Sequence, residues 1–342
     1  MSAGQRILSI DFLKGIAIVL VILGHSVQVL TADPFNDRLF NLIYSFHMPL
    51  FMFVSGLVSY KEKTRYIDVI KRFYQLIIPF FLWPLFVGLL LKGSFDINVW
   101  KSIIEQPDKG LWFLWVLFFI SSFFTVINSL NIPKISCLIQ SGGGKLQILY
   151  ILVCGILFSL ILKIVPSNKY GADLISNYTL FYMVGMIVRK ELNSVNRVMI
   201  NFRWIFVFLF IVLSMFWKFN HHPSFIPTPN KLLSVAYYYT TAFMGIAFVC
   251  SFCFKYITQD KNTTFVRVFG YMGKVTLGLY AIHTQLALGL IYIHFINCNR
   301  SYAIILTLLL TLMVSIAIEF IIGKFILLPK LLLGKVLINT YK

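Results

Sequence analysis

The stretch from Ile7 to Leu30 is an almost unbroken run of Ile, Leu, Val, Gly and Ala that nevertheless holds Asp11, Lys14 and His25. A bilayer core of about 30 Å is crossed by roughly 20 helical residues, so the run predicts a transmembrane helix. Lys14 follows Asp11 by three residues and precedes His25 by eleven, close to three full turns, which puts all of them in one sector of that helix. A charge facing lipid costs at least about 2.5 kcal/mol, so the sector is expected to face protein or a water-filled cavity. The plainer reading, in which Asp11 and Lys14 are an interfacial pair anchoring the helix, leaves His25 unexplained.

The rest of the chain repeats this apolar character. Hydrophobic residues make up 59% of it and charged residues 12%, against about 25% charged in a soluble domain. The fold class expected is therefore all-α, a polytopic integral membrane bundle. The opening run lacks a small-x-small cleavage site and carries two charges, so it is expected to stay as the first span rather than act as a removable signal. Ten spans are expected, near residues 7–30, 41–60, 73–92, 111–130, 147–165, 174–188, 204–219, 232–254, 275–296 and 302–323. Alternation from a cytoplasmic N-terminus puts 20 basic residues inside and nine outside, with four acidic residues inside and six outside. That asymmetry argues for both termini in the cytoplasm and an even number of spans. The net charge of +18 is then mainly a topology signal, with added attraction to membrane lipids or an anionic cytosolic ligand, and does not call for nucleic acid. The loops are too short for a separate soluble domain, so one transmembrane domain over 1–342 is expected.

His25, His47 in Phe46-His47-Met48-Pro49, and His283 all fall in the middle or outer half of the expected bundle. Asp11, Lys14 and the basic loop from Lys61 to Arg72 fall toward the inside. That layout suits a polyanionic reactant from the cytosol and a second reactant across the membrane. A neutral imidazole can take a proton from a hydroxyl, or attack a thioester directly. The plainer alternatives are a helix-capping role for His47, a structural hydrogen bond for His283, and surface placement for His221 and His222 in the proline-rich loop 220–231. Arg72 is suited to phosphate or, alternatively, is a positive-inside anchor. Trp112-Phe113-Leu114-Trp115 reads as an interfacial anchor or as an aromatic platform for a sugar ring. Glu319, buried by position in the last span, calls for a partner such as Lys14. No metal is expected: the histidines lack a fourth ligand, and Cys137, Cys154, Cys250, Cys253 and Cys298 show no ligand spacing.

Taken in order, the motifs are Arg6-x-x-x-x-Asp11-x-x-x-Gly15 running on to Gly24-His25-Ser26, then His47-Met-Pro-Leu-Phe-x-Phe-x-Ser55-Gly56. Arg72-Phe-Tyr-Gln-Leu-x-x-Pro79, Leu111-Trp112-Phe113-Leu114 and Gly273-x-x-x-Leu-Gly-Leu-Tyr280-x-x-His283 follow. This ordered set resembles the membrane acyltransferase family that includes bacterial polysaccharide and lipopolysaccharide O-acetyltransferases and the fucose O-acetylase-like proteins. The resemblance implies a multi-pass protein of the bacterial inner (cytoplasmic) membrane. It implies transfer of an acetyl or other short acyl group from cytoplasmic acyl-CoA, usually acetyl-CoA, to a hydroxyl of an extracytoplasmic or lipid-linked glycan. His25 would be the essential histidine, with Asp11 and Arg6 supporting the active site or donor path. Coenzyme A phosphates would be held by Arg72, Lys71 and neighbouring basic residues, Lys14 among them. His283 or Tyr280 would steady an oxyanion, and His47, Trp112 and Tyr280 would meet the acceptor. Related sequences often read Arg-x-x-Arg before the third span; here the second position is Gln75, so Arg72 would act alone or with Lys71. Some relatives also carry an extracytoplasmic hydrolase-like domain, and without it this chain would complete transfer itself or hand the group to another protein.

The main rival reading is a secondary transporter of a small anion or sugar, which would move substrate without consuming acetyl-CoA. The polar sector of the first span suits a proton relay, though no inverted repeat is evident. A flippase or polymerase and a non-catalytic sensor are further alternatives. The acceptor, the acyl length and the oligomeric state, a homo-oligomer included, stay open.

Overall fold

The computed structural model describes residues 8–61, 64–130, 143–166, 169–219, 223, 230–257, 263–295 and 298–335. Arg6, Cys137, His221 and His222 lie outside these. All regular structure among the described residues is helical. Among them, eight helices are long and apolar enough to cross a membrane: Leu8–Leu30, Arg38–Ser59, Ile67–Leu91, Trp112–Ser129, Lys145–Leu162, Lys231–Tyr256, Thr276–Phe295 and Arg300–Gly323. Leu192–Asn201 and Arg203–Phe216 make a ninth if the pair, bent by 71°, counts as one span. The protein is thus an all-α, multi-pass membrane protein.

Where the remaining span is expected, near 174–188, the structure has the 19-residue helix Ala172–Lys190, which is not one of these eight or nine because Asp173, Asn177, Arg189 and Lys190 lower its hydropathy. Phe181, Tyr182, Met183 and Met186 along it are buried. It packs on Gly143–Leu162, where Ser159 and Ser176 each donate to the other's carbonyl at 3.3 and 3.0 Å. A helix wrapped by its neighbours meets little lipid, so polar residues on it cost less than they would on an outer helix.

The described residues divide into two compact units, one of Ser55–Lys190 with those from Glu319 onward, the other of those up to Val54 with Glu191–Ile318. In the first unit, proline chemistry shapes the helix that carries Lys71 and Arg72. Pro79 has no N–H to give the carbonyl of Gln75, and the turn Phe73–Ile77 widens so that the Ile78 N–H bonds instead to the Phe73 carbonyl. Gly334, at φ +61°, lies against that Gln75 carbonyl, and a Cβ there would come within 2.4 Å of it. Close by in sequence, the carbonyl of Leu332 accepts a hydrogen bond of 2.8 Å from the buried Trp83 indole. Glu319, buried, accepts from Lys335 Nζ at 2.6 Å.

In the second unit, Leu8–Leu30 packs closely along Thr264–Lys274. Phe12 meets Phe265 and Phe269, with ring centroids 5.6 and 5.2 Å apart. Two glycines let the backbones touch. A Cβ on Gly15 would sit 2.2 Å from the Phe269 carbonyl oxygen, and one on Gly273 would sit 1.7 Å from that of Asp11. Two of the motif glycines are therefore contact residues, in keeping with the use of small side chains where membrane helices approach closely. Gly15→Ala and Gly273→Ala are each expected to lower the thermal midpoint of the detergent-solubilised protein, at a cost of about 1–3 kcal/mol or more. Gly289→Ala, where nothing lies within 4 Å of the added carbon, should leave the midpoint unchanged or raised.

Candidate active site

His25 stands at a fixed height because Leu8–Leu30 is one continuous helix. Its half-buried ring meets the fully buried ring of His283, with Nδ1 of His25 3.1 Å from Nε2 of His283 and the planes 24° apart. His283 begins a second widened turn, His283–Ala287, in which the Leu288 N–H reaches back to the His283 carbonyl. Such turns recur at functional positions because they re-aim side chains without ending the helix.

The hydrogen bonds assign the protons. Nδ1 of His283 lies 2.9 Å from the carbonyl oxygen of Leu279. A carbonyl only accepts, so this nitrogen carries the proton. With both rings neutral, Nε2 of His283 is then an acceptor, and the hydrogen on the 3.1 Å contact belongs to Nδ1 of His25. Nε2 of His25 is left with a lone pair. The order carbonyl, imidazole, imidazole fixes the tautomer of the terminal ring, as a carboxylate does in the serine hydrolase triad. Both nitrogens of His283 are engaged, so it has no N–H left to offer an oxyanion.

His47 repeats the pattern alone. Its Nδ1 lies 2.8 Å from the carbonyl oxygen of Ile43, and its ring meets that of Tyr44 at 4.5 Å. The local cause is Pro49, which cannot hydrogen-bond the Ser45 carbonyl four residues back; the helix breaks after Tyr44 and restarts at His47. Nε2 of this buried histidine is again the acceptor nitrogen. Beside it lies an aromatic cluster that no local motif announces, in which Tyr44, Phe40, Phe35 and Phe219 stack or meet edge-on. Asn41 holds that cluster, donating to the carbonyls of Phe35 and Asp37 at 2.7 and 2.9 Å and accepting from the Phe219 N–H at 2.9 Å.

Other expected site residues fall elsewhere. Asp11 is buried 14 residues before His25 on the same helix, or about 21 Å along its axis. Lys14 Nζ lies 4.0 Å from its carboxylate. Tyr280 is buried, with its ring 5.7 Å from that of His283. In the other unit, Lys71 Nζ lies 3.9 Å from Asp68, which also binds Lys61 Nζ at 3.0 Å. Arg72 donates to Ser59 Oγ at 3.3 Å. Trp112 is half-buried and tilted against Tyr178 at 5.3 Å, whereas Phe113, Leu114 and Trp115 turn inward. Among the described residues, no three His, Cys, Asp or Glu side chains gather as metal ligands.

Nitrogen-15 NMR of histidine-labelled protein is expected to show His25 as the Nδ1–H tautomer in the parent. In His283→Phe the acceptor is gone, and that tautomer should give way to a mixture. An unchanged spectrum would break the proton assignment.

Comparison with known proteins supplies the family. Residues 7–323 match the family described as acyltransferase domain. A nodulation protein NolL from Mesorhizobium japonicum is 30% identical over 227 residues, covering 60% of this chain and 54% of that protein. A nodulation protein NolL from Sinorhizobium fredii is 31% identical over 144 residues, covering 38% of this chain and 39% of that protein. The chain spans about half the length of the first of these relatives and less of the second. No solved structure matches it. With the family model running from the helix that bears His25 through the one that bears Glu319, the chain belongs to the acyltransferase domain family.

Proposed function

We propose that this protein is an O-acyltransferase of the bacterial inner membrane that moves an acetyl or other short acyl group from cytoplasmic acyl-CoA to a hydroxyl of an extracytoplasmic or lipid-linked glycan. The observation that carries the chemistry is the Leu279–His283–His25 chain, which leaves one imidazole lone pair on His25 Nε2. The family supplies the reaction class.

In the proposed step the acceptor hydroxyl gives its proton to Nε2 of His25 as its oxygen attacks the thioester carbonyl carbon. The imidazolium so formed keeps its Nδ1–H on His283, whose own Nδ1–H rests on the Leu279 carbonyl. When the C–S bond breaks, the proton on Nε2 passes to the departing thiolate. An ester and free coenzyme A result. His283 is a positioning residue for His25 rather than an oxyanion donor. His47, with its own acceptor Nε2 and the aromatic cluster beside it, meets the glycan, as do Tyr280 and Trp112. Arg72 and Lys71 take the phosphates of coenzyme A, with Lys14 and Asp11, near the start of the first helix, on the donor side together with Arg6, which precedes that helix in the sequence. The eight apolar helices, the bent pair and Ala172–Lys190 together would make ten spans, with both termini in the cytoplasm. The whole chain then acts as one catalytic domain.

Purified protein in lipid, given labelled acetyl-CoA and a panel of glycan precursors, should release coenzyme A and yield acetylated glycan. His25→Ala should lose about 10²–10⁴-fold in kcat while still binding donor. His283→Phe should lose less, on the order of 10-fold to 10²-fold, in kcat rather than KM. Arg72→Ala should raise the KM for acetyl-CoA without changing that for the acceptor. Folded parent protein that neither binds the donor nor releases coenzyme A would overturn the proposal and direct attention to transport.

A further inference from the structure

Three unpartnered buried hydroxyls fall on one helix, Arg300–Gly323. Thr307, Thr311 and Ser315 follow one another at intervals of four residues, so they form a stripe on one face of an otherwise apolar helix. Each residue is fully buried, and no hydroxyl has a hydrogen-bond partner among the described residues. Several buried Ser and Thr on other helices close back onto their own backbone, although Thr241, alone on its helix, does not. Ser26 donates to the Ile22 carbonyl at 2.8 Å, Thr125 to Ser121 at 2.7 Å and Thr179 to Ile175 at 2.7 Å. The stripe had the same local option and does not take it. Three unsatisfied hydroxyls in a row are costly unless something pairs with them.

The position of the stripe says what that is. Arg300, at the start of the helix, is paired with Asp37, which follows the end of the His25 helix. Ile304 lies in one apolar cluster with Val27, Phe40 and Ile43. The two helices therefore run antiparallel from a shared end. Thr307 is about 4.5 Å further along from Ile304, and His25 about 3 Å back from Val27, so Thr307 stands near the depth of His25. From there the hydroxyls continue toward the Asp11 end for about 12 Å.

We infer that Thr307, Thr311 and Ser315 form a binding track for the pantetheine arm of the acyl-CoA donor, with the thioester at the depth of Thr307 and His25. The inference rests on the acyl-CoA reading given above. A pantetheine arm is a narrow, extended chain whose two amides are joined by a two-carbon link, a spacing on the order of one helical turn. Hydroxyls suit it because each can donate to an amide carbonyl or accept from an amide N–H. The apolar residues between them accommodate the methylenes. A sugar acceptor, with hydroxyls on every side, would need a broader polar surface than a single file of three.

The test compares two donors in the parent and in Thr307→Val, Thr311→Val and Ser315→Ala, which remove the hydroxyl at nearly constant shape. For acetyl-CoA each substitution should raise the KM about three- to tenfold, with kcat and acceptor KM unchanged. For S-acetyl-mercaptoethanol, which has no amide, the variants should match the parent. Thr311→Ser, which keeps the hydroxyl, should restore the parental KM for acetyl-CoA. Should the valine variants not fold, Thr307→Ala and Thr311→Ala carry the same comparison. Parental KM for acetyl-CoA in all folded variants, or an equal rise for the amide-free donor, overturns the track and leaves the acyltransferase reading standing. A parent that turns over neither donor fails the acyltransferase reading itself, and the track with it.

Discussion

The carbonyl oxygen of Asp11 lies where a side chain on residue 273 would have to go, and that of Phe269 lies where one on residue 15 would. This backbone-to-backbone approach sets the spacing and register of Leu8–Leu30 against Thr264–Lys274. The chain then turns at Val275 and runs as Thr276–Ile282 alongside the same first helix. With one end held by glycines, the other brings His25 and His283 within hydrogen-bond distance. The chemistry at one end thus depends on the absence of side chains at the other. Lipid offers no hydrophobic drive for helix pairing, so close van der Waals contact and a few polar bonds must supply it.

The same economy governs the polar groups of this unit. A buried histidine needs a partner, and each of His283 and His47 takes the carbonyl four residues behind it on a local turn. That settles the tautomer through a backbone carbonyl rather than a carboxylate, avoiding a second buried charge in a membrane protein. The carboxylate that is present on the first helix, Asp11, sits some four turns away and belongs to the packed end. Its presence in a motif with His25 reflects a shared helix rather than a shared contact.

Proline and glycine shape the other unit in a comparable way. Pro79 strips the Gln75 carbonyl of its helical partner, the preceding turn widens, and Gly334 rests against the carbonyl so exposed. Lys71 and Arg72 sit just ahead of that turn, and each has a light polar contact, to Asp68 and Ser59 respectively. Cations held this loosely can be drawn to a stronger anion, since an exposed pair contributes little to stability.

Much of this was written in the sequence. Runs of apolar residues long enough to span a bilayer announce themselves through composition, because the bilayer admits only segments that satisfy their own backbones. The place of His25 on the first of these runs was equally legible, whereas the role expected of it came from the resemblance carried by the ordered motifs. Ala172–Lys190 shows where hydropathy stops being a guide: burial by neighbours, which a single chain does not display, decides how polar a helix can be. The pairing of His25 with His283, 258 residues apart, the contact of Asp11 with Gly273, and the paired Glu319 and Lys335 are decisions of tertiary structure. So is the unsatisfied hydroxyl stripe, whose spacing is legible in the sequence but whose burial is not. Local periodicity fixes which face a residue occupies, and only packing determines what that face meets.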